Sequence, residues 1–286
     1  MMIEQLGLPK LPSPLPGGIV DNHTHTLSTL RYSGLPVDES LRLAAEVGVT
    51  HIVDVGYDVE SCEHVLAVQR AHPQVAAAVA LHPNDAARIV ERHGRAGLAE
   101  TLTRIEELVP QARAVGETGL DYFRTRDAAG QAVQEESFRR HIGWAKRHDK
   151  TLVIHDRDAH EDILRVLDDE GAPERVVMHC FSGDADFAAA CVARGFWLSF
   201  PGVVTFGSAG ELRAAALSTP ADRLLVETDA PYLTPKPERG KPNAPYLVAH
   251  TARFLAELLG RDLAEFCERV TANTWAAYGG RWGDDA

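Results

Sequence analysis

The chain has 286 residues, a formal net charge of −12 at pH 7, 45% hydrophobic and 24% charged residues. This is the composition of an ordinary globular protein with a sizeable core, and length alone does not choose between one large domain and two small ones. No run approaches the roughly 18 consecutive apolar residues of a membrane span, and so acidic a surface excludes broad coating of nucleic acid, which needs cations to neutralise phosphates.

Residues 1–17 form a proline-rich lead with Glu4, a lone Lys10 and four prolines. It lacks the apolar stretch of a targeting signal, so the protein is expected in the cytoplasm, away from the membrane. From residue 18 to the end at 286, strand-like apolar runs alternate with amphipathic helical patterns. The expected strands are 18–21, 51–55, 75–81, 114–117, 151–155, 175–179, 196–199 and 224–227. Helices are expected over 37–47, 59–71, 98–108, 131–148, 159–169, 184–194 and 211–217, with two more, 246–259 and 262–278, after the last strand. Continuous apolar strands such as 75–81 argue for burial on both faces, as in a parallel sheet. The four cysteines, Cys62, Cys180, Cys191 and Cys267, show no Cys-x-x-Cys spacing and read as free thiols.

Five segments carry metal-ligand chemistry, and each falls where a strand should end. They are Asp21-Asn22-His23-Thr24-His25, Gly116-Glu117-Thr118-Gly119-Leu120-Asp121-Tyr122, Ile154-His155-Asp156-Arg157, His179-Cys180-Phe181-Ser182-Gly183 and Glu227-Thr228-Asp229-Ala230-Pro231-Tyr232-Leu233. Two residues apart on a strand, His23 and His25 point to one face. Glu117 follows an apolar run, where an unpaired carboxylate would be costly to bury and a shared metal removes the cost. His155 and His179 each close a Val/Ile-rich run, and alone either would read as a hydrogen-bonded core histidine. Asp229 can bind metal, take a proton from water, or both. An open doubly wound sheet would gather ligands at one crevice. Ligands after strands one, four, five, six and eight share one mouth only in a closed barrel, so the fold is expected to be a single (β/α)8 TIM barrel with extra C-terminal helices.

This ordered set of motifs resembles the TatD family of metal-dependent deoxyribonucleases, within the amidohydrolase-like TIM-barrel superfamily. The resemblance runs from about residue 18 to residue 278. It implies two divalent ions per chain: His23, His25 and Asp229 holding one, His155 and His179 the other, and Glu117 bridging. It also implies 3′–5′ exonuclease activity on DNA, single-stranded or at ends, and roles in DNA repair. The imidazole-rich set favours Zn²⁺, Mn²⁺ or Co²⁺ over Mg²⁺ by softness, whereas the resemblance points to Mg²⁺ or Mn²⁺. A hydroxide shared by two such ions would attack phosphorus in line.

The family's third-strand motif usually reads Gly-x-His-Pro-His. Here it is Ala80-Leu81-His82-Pro83-Asn84, and Asn22 stands where Ser or Thr is usual. Neither change touches an expected ligand, and both bear on substrate contacts. His82 is expected to contact substrate or donate to the leaving oxygen. Arg157, Arg124, Arg126, Arg239 and Lys241 are expected to form a phosphate-binding rim, with Tyr122, Phe123, Phe181 and Tyr232 as loop aromatics. His64, His72, His93, His141, His148, His160 and His250 fall on polar helical faces or turns and take no role. No obligate protein partner is inferred.

The alternatives are another binuclear hydrolase, a mononuclear deaminase and a non-catalytic scaffold. A lactonase, amidase or phosphotriesterase would often bridge its metals with a modified lysine on strand four, where this chain has Glu117. A deaminase would want a Glu soon after the strand-five His, and Ile-His-Asp-Arg offers none. An aminoacyl-tRNA deacylase would use the same metals. A non-catalytic scaffold would be expected to have lost a ligand, and none is lost.

Overall fold

The structure is a computed structural model that describes residues 2–283. Met1 of the expected lead and residues 284–286 of the expected barrel domain lie outside the described residues. After a short helix α1 (Met2–Gln5) the chain runs β1 (Ile19–Thr24), α2 (Thr26–Ser33), α3 (Val37–Glu46), β2 (Val49–Val55), α4 (Val59–Ala71), β3 (Val75–Val79) and α5 (Pro83–Leu108). It continues with β4 (Ala114–Asp121), α6 (Ala128–Arg147), β5 (Thr151–Arg157), α7 (His160–Glu170), β6 (Val176–Met178), α8 (Ala185–Ala193), β7 (Trp197–Phe200), α9 (Gly210–Ser218) and β8 (Leu224–Val226). Two helices, α10 (Val248–Leu258) and α11 (Leu263–Ala277), follow the last strand.

All eight strands pair in parallel in sequence order. The sheet closes where Asp229 N donates to His23 O (2.8 Å) and His25 N to Ala230 O (2.9 Å). The expected (β/α)8 barrel with extra C-terminal helices is therefore the fold.

Alternation along the strands builds two cores. Ile52, Val75, Ala77, Val79, Leu152, Ile154, Val176 and Met178 face the helices. Their neighbours Val53, Val55, Ala76, Ala78, Val153, Val177 and Leu225 fill the barrel interior, whose lower end is plugged by Tyr278 and Trp282. Small residues on β3 leave room for those aromatics, as close packing of a barrel interior requires. Leu8 and Leu15 of the lead are buried in the outer core, and Tyr246 Oη donates to Pro9 O at 2.7 Å.

Three elements differ from expectation. Helix α5 begins at Pro83, fifteen residues before the expected start, and bends at Gly94, whose φ of 68° leaves the helical region. Gly94 and Gly97 dilute the helical pattern of its first half. Helix α2 was not expected, because Thr26–Ser33 has little apolar periodicity. Strand β4 runs on past Glu117 to Asp121, although its glycines read as a turn. Among the described residues no helix is long and apolar enough to cross a membrane.

Candidate metal centre

Strand parity explains how the five motifs meet. His155 lies two residues after Val153, His179 two after Val177, and Glu227 two after Leu225, so all three continue the interior-facing rows into the mouth. Glu117 has the parity of Val115, which faces outward. A register shift between Val115 and Thr118 reverses it and turns the carboxylate inward. In β1, Ile19 faces outward and His23 shares its parity. A register break between Asp21 and Thr24 likewise brings His23 and His25 into the mouth.

Glu117 sits at the middle. Its Oε1 lies 3.4 Å from His25 Nε2 and 3.8 Å from His23 Nε2. Its Oε2 lies 3.0 Å from His179 Nε2, 3.3 Å from His155 Nδ1 and 3.8 Å from His82 Nε2. Asp229 Oδ1 is 3.3 Å from His25 Nε2 and 3.9 Å from His23 Nε2. Asp229 has φ of 55°, a left-handed conformation that costs about 1 kcal/mol or more in a non-glycine residue. The structure thus brings together His23, His25, Glu117, His155, His179 and Asp229.

Three compact groups of potential ligands arise: His23–His25–Glu117, His23–His179–Asp229 and His82–Glu117–His155. The partition differs from the expected one because His179 stacks on His23, ring centroids 3.7 Å apart, and His82 stands beside His155.

Anchors behind the ring set the tautomers. His25 Nδ1 is 2.8 Å from Val55 O, which only accepts, so Nδ1 carries a proton and Nε2 is the atom turned to the mouth. His179 Nδ1 is 3.2 Å from Glu227 Oε1, which also accepts from Cys180 N at 2.8 Å. His155 Nε2 lies 3.3 Å from Asp121 Oδ2, and Asp121 takes a further hydrogen bond from Asn84 Nδ2 at 2.8 Å. Carboxylate behind imidazole is the usual backing of a metal-ligating histidine.

Electrostatics fit a divalent cation. Burial pushes Glu117 up, but His82, His179 and His155 outweigh it and hold the carboxyl well below its ordinary range. Burial opposes protonation of His25, yet Asp229 and Glu117 carry it to about 9. His179 goes well above its ordinary value in the same way, against burial, through Glu227 and Glu117. Burial, with His179 beside it, pushes His23 down. The two carboxylates are therefore neutralised here by protons on imidazoles, which a divalent ion on the same atoms would displace. His23 Nδ1 and Glu227 Oε2 find no partner among the described residues.

A cavity of about 580 Å³ opens over the cluster, and His82, Arg124, Arg157 and the half-exposed Tyr232 line it. The Arg157 guanidinium stacks on the Phe123 ring at 3.9 Å. Arg239 and Lys241 do not line this cavity. Arg239 stacks on Phe206 at 4.5 Å, and Lys241 pairs with Glu238 at 2.5 Å.

A family model described as TatD related DNase matches residues 20–279. The chain belongs to the TatD family. It is 44% identical over 269 residues to an uncharacterized metal-dependent hydrolase, TatD, of Mycobacterium tuberculosis, covering 92% of this chain and 99% of that one. The metal-dependent hydrolase YabD of Bacillus subtilis is 37% identical, over 89% of this chain and 96% of its own. Among solved structures, the TatD homologue YJJV of Escherichia coli superposes with a TM-score of 0.81 at 28% identity, covering 92% of this chain and 98% of that chain. This chain is accordingly a TatD-family metal-dependent hydrolase.

Several site residues had no role in the sequence reading. Glu227, Asp121 and Asp156 lie inside the quoted motifs, and their place beside each strand end was the available signal. Asp54 is buried and accepts from Thr26 N at 2.9 Å, fixing the turn after His25; nothing local in the sequence marked it. His141 was expected on a polar face and is instead fully buried. Its Nδ1 lies 2.7 Å from Ser137 O and its Nε2 accepts from Leu81 N at 3.0 Å. It thereby holds the backbone just before His82.

Proposed function

We propose that the protein is a metal-dependent phosphodiesterase that shortens DNA, acting in the 3′–5′ direction on single strands or ends, with two divalent ions per chain. The observation that carries this reading is the division of Glu117: one oxygen faces the His23/His25 pair and the other the His155/His179 pair. A carboxylate shared in that way suits a bridged two-ion site. Ions there would supply Lewis acidity at the phosphate and acidify a water near neutral pH.

The chain's own groups then have distinct tasks. Asp229, lowered by His25 against the push of burial, is ionised and placed to orient that water and accept its proton. His82 accepts from Asn84 N at its Nδ1 (3.1 Å), so its Nε2 carries the proton toward the centre. Burial depresses its pKa to about 3, so it stays neutral and donates a hydrogen bond to the leaving oxygen. Arg157, fixed flat on Phe123, presents its fork to a flanking phosphate, with Arg124 beside the same cavity. A cytoplasmic role in DNA repair belongs to the same reading.

End-labelled single-stranded DNA incubated with metal-stripped protein, re-supplied with Mg²⁺, Mn²⁺ or Zn²⁺, tests it. A ladder shortening from the 3′ end, lost in Glu117→Ala, is the expected result. No cleavage with any metal, by protein that still binds two ions, would refute the proposal and turn the search to ester and amide substrates.

A further inference from the structure

The mouth cavity continues sideways into a second depression of about 680 Å³, and the two share Asn84, Arg88 and Arg124. Its walls are the first turns of α5 and the start of α6, with Arg88, Arg95 and Arg124 along it. Two carboxylates, Glu91 and Asp127, also line it, but Asp127 Oδ1 is occupied by Gly130 N at 2.8 Å. Three guanidiniums thus line the groove against two carboxylates, and Arg124 also stands 3.9 Å from Asp121.

The guanidiniums are available. Arg88 pairs with Asp85 and Arg95 with Glu136, and both arginines are more than half exposed, at 53% and 58%. Exposed pairs of this kind hold by only about 0–1 kcal/mol, so either guanidinium can turn to a phosphate at small cost. The groove starts at Asn84, whose amide reaches Asp121 behind His155, and so leaves from the His155 side of the centre. From Asn84 to His93, ahead of the bend at Gly94, the helix rises about 14 Å, room for roughly four stacked nucleotides or fewer extended ones, with Arg95 just past the bend.

Resting on the phosphodiesterase reading, we propose that this groove is a secondary subsite that holds the sugar–phosphate backbone of a single strand beyond the nucleotide at the metal centre. A small ester would not reach it. An oligonucleotide would, and chain length then governs affinity.

The test is anisotropy of fluorescent, cleavage-resistant phosphorothioate oligothymidylates, a dimer and an octamer, on the protein as purified. Wild type should bind the octamer more tightly than the dimer. One lost phosphate contact flattens the salt dependence by about 0.7 in log–log slope, which is about fivefold in affinity at 0.1 M salt. Arg95→Ala should show that loss for the octamer alone. Ala129→Glu, which puts a carboxylate on an exposed groove position in the first turn of α6, should act in the same direction and keep the helix intact. Equal affinity of wild type for the two lengths, or unchanged octamer binding in both variants, overturns the subsite. Hydrolysis of bis-p-nitrophenyl phosphate by the Mn²⁺-supplied protein tests the phosphodiesterase reading separately. Length-dependent binding without that hydrolysis would leave the groove standing and remove the chemistry.

Discussion

Acidification from pH 7 to pH 5 should erase most of the stability difference between the wild type and His141→Met. His141 is fully buried on α6, and burial pushes its pKa down to about 4 from an ordinary 6.5. A depressed histidine pKa means that the unfolded chain binds the extra proton, so the stabilisation is full above about pH 6.5 and is lost as pH falls toward 4. With those two values the wild type loses about 2 kcal/mol between pH 7 and pH 5. The variant has no imidazole there and loses none of that share.

At pH 7 the variant should be weaker by about 1–3 kcal/mol, because Leu81 N–H loses its buried acceptor. At pH 5 the gap should shrink to within about 1 kcal/mol. Urea titrations at the two pH values, in chelator so that metal linkage drops out, read both gaps, and titration of the other histidines cancels in the difference. A gap of the same size at pH 5 and pH 7 would refute the claim that a neutral His141 accepts from Leu81.

Two further outcomes are expected. Glu227→Gln removes the charge behind His179 and should weaken divalent-ion binding about 10–100-fold by calorimetry; an unchanged affinity would mean that Glu227 serves Cys180 N alone. Gly119→Ala would set a Cβ 2.1 Å from His155 O at φ of 140° and should cost about 3 kcal/mol or more, read as a fall in urea midpoint. A variant as stable as wild type would contradict that packing between β4 and β5.

The strands were legible because a sheet buried on both faces must be apolar at nearly every position, and 75–81 or 151–155 has no other simple reading. Helix positions were legible where apolar spacing was clean, as in α4 and α7. They failed where conformation came from backbone chemistry: α5 starts on a His82 cap and Pro83, then bends at Gly94, and none of these leaves an amphipathic trace. Gly119 misled in the opposite direction: it suggested a turn after Glu117, but it lies where β5 approaches so closely that a side chain would meet His155.

The site divides along a physical line. Residue type is local, so the candidate ligands His23, His25, Glu117, His155, His179 and Asp229 could be picked out from strand-end motifs. Whether those side chains face inward is not local. Counting by twos from Val115 or Ile19 would have sent Glu117 and His23 to the outer face, and only the register breaks in β4 and β1 bring them back. The rim was less legible still. Five cations were placed on mouth loops by position alone, but an arginine is directed by its nearest partner. Arg157 finds Phe123 and stays over the cavity, while Arg239 finds Phe206 and Lys241 finds Glu238, outside the cavity lining. Arg88 and Arg95 were unseen because they lie on the first half of α5, ahead of the expected helix start at residue 98. An acidic protein can face a polyanion only where a few such side chains are aimed together, and that aim is a property of packing.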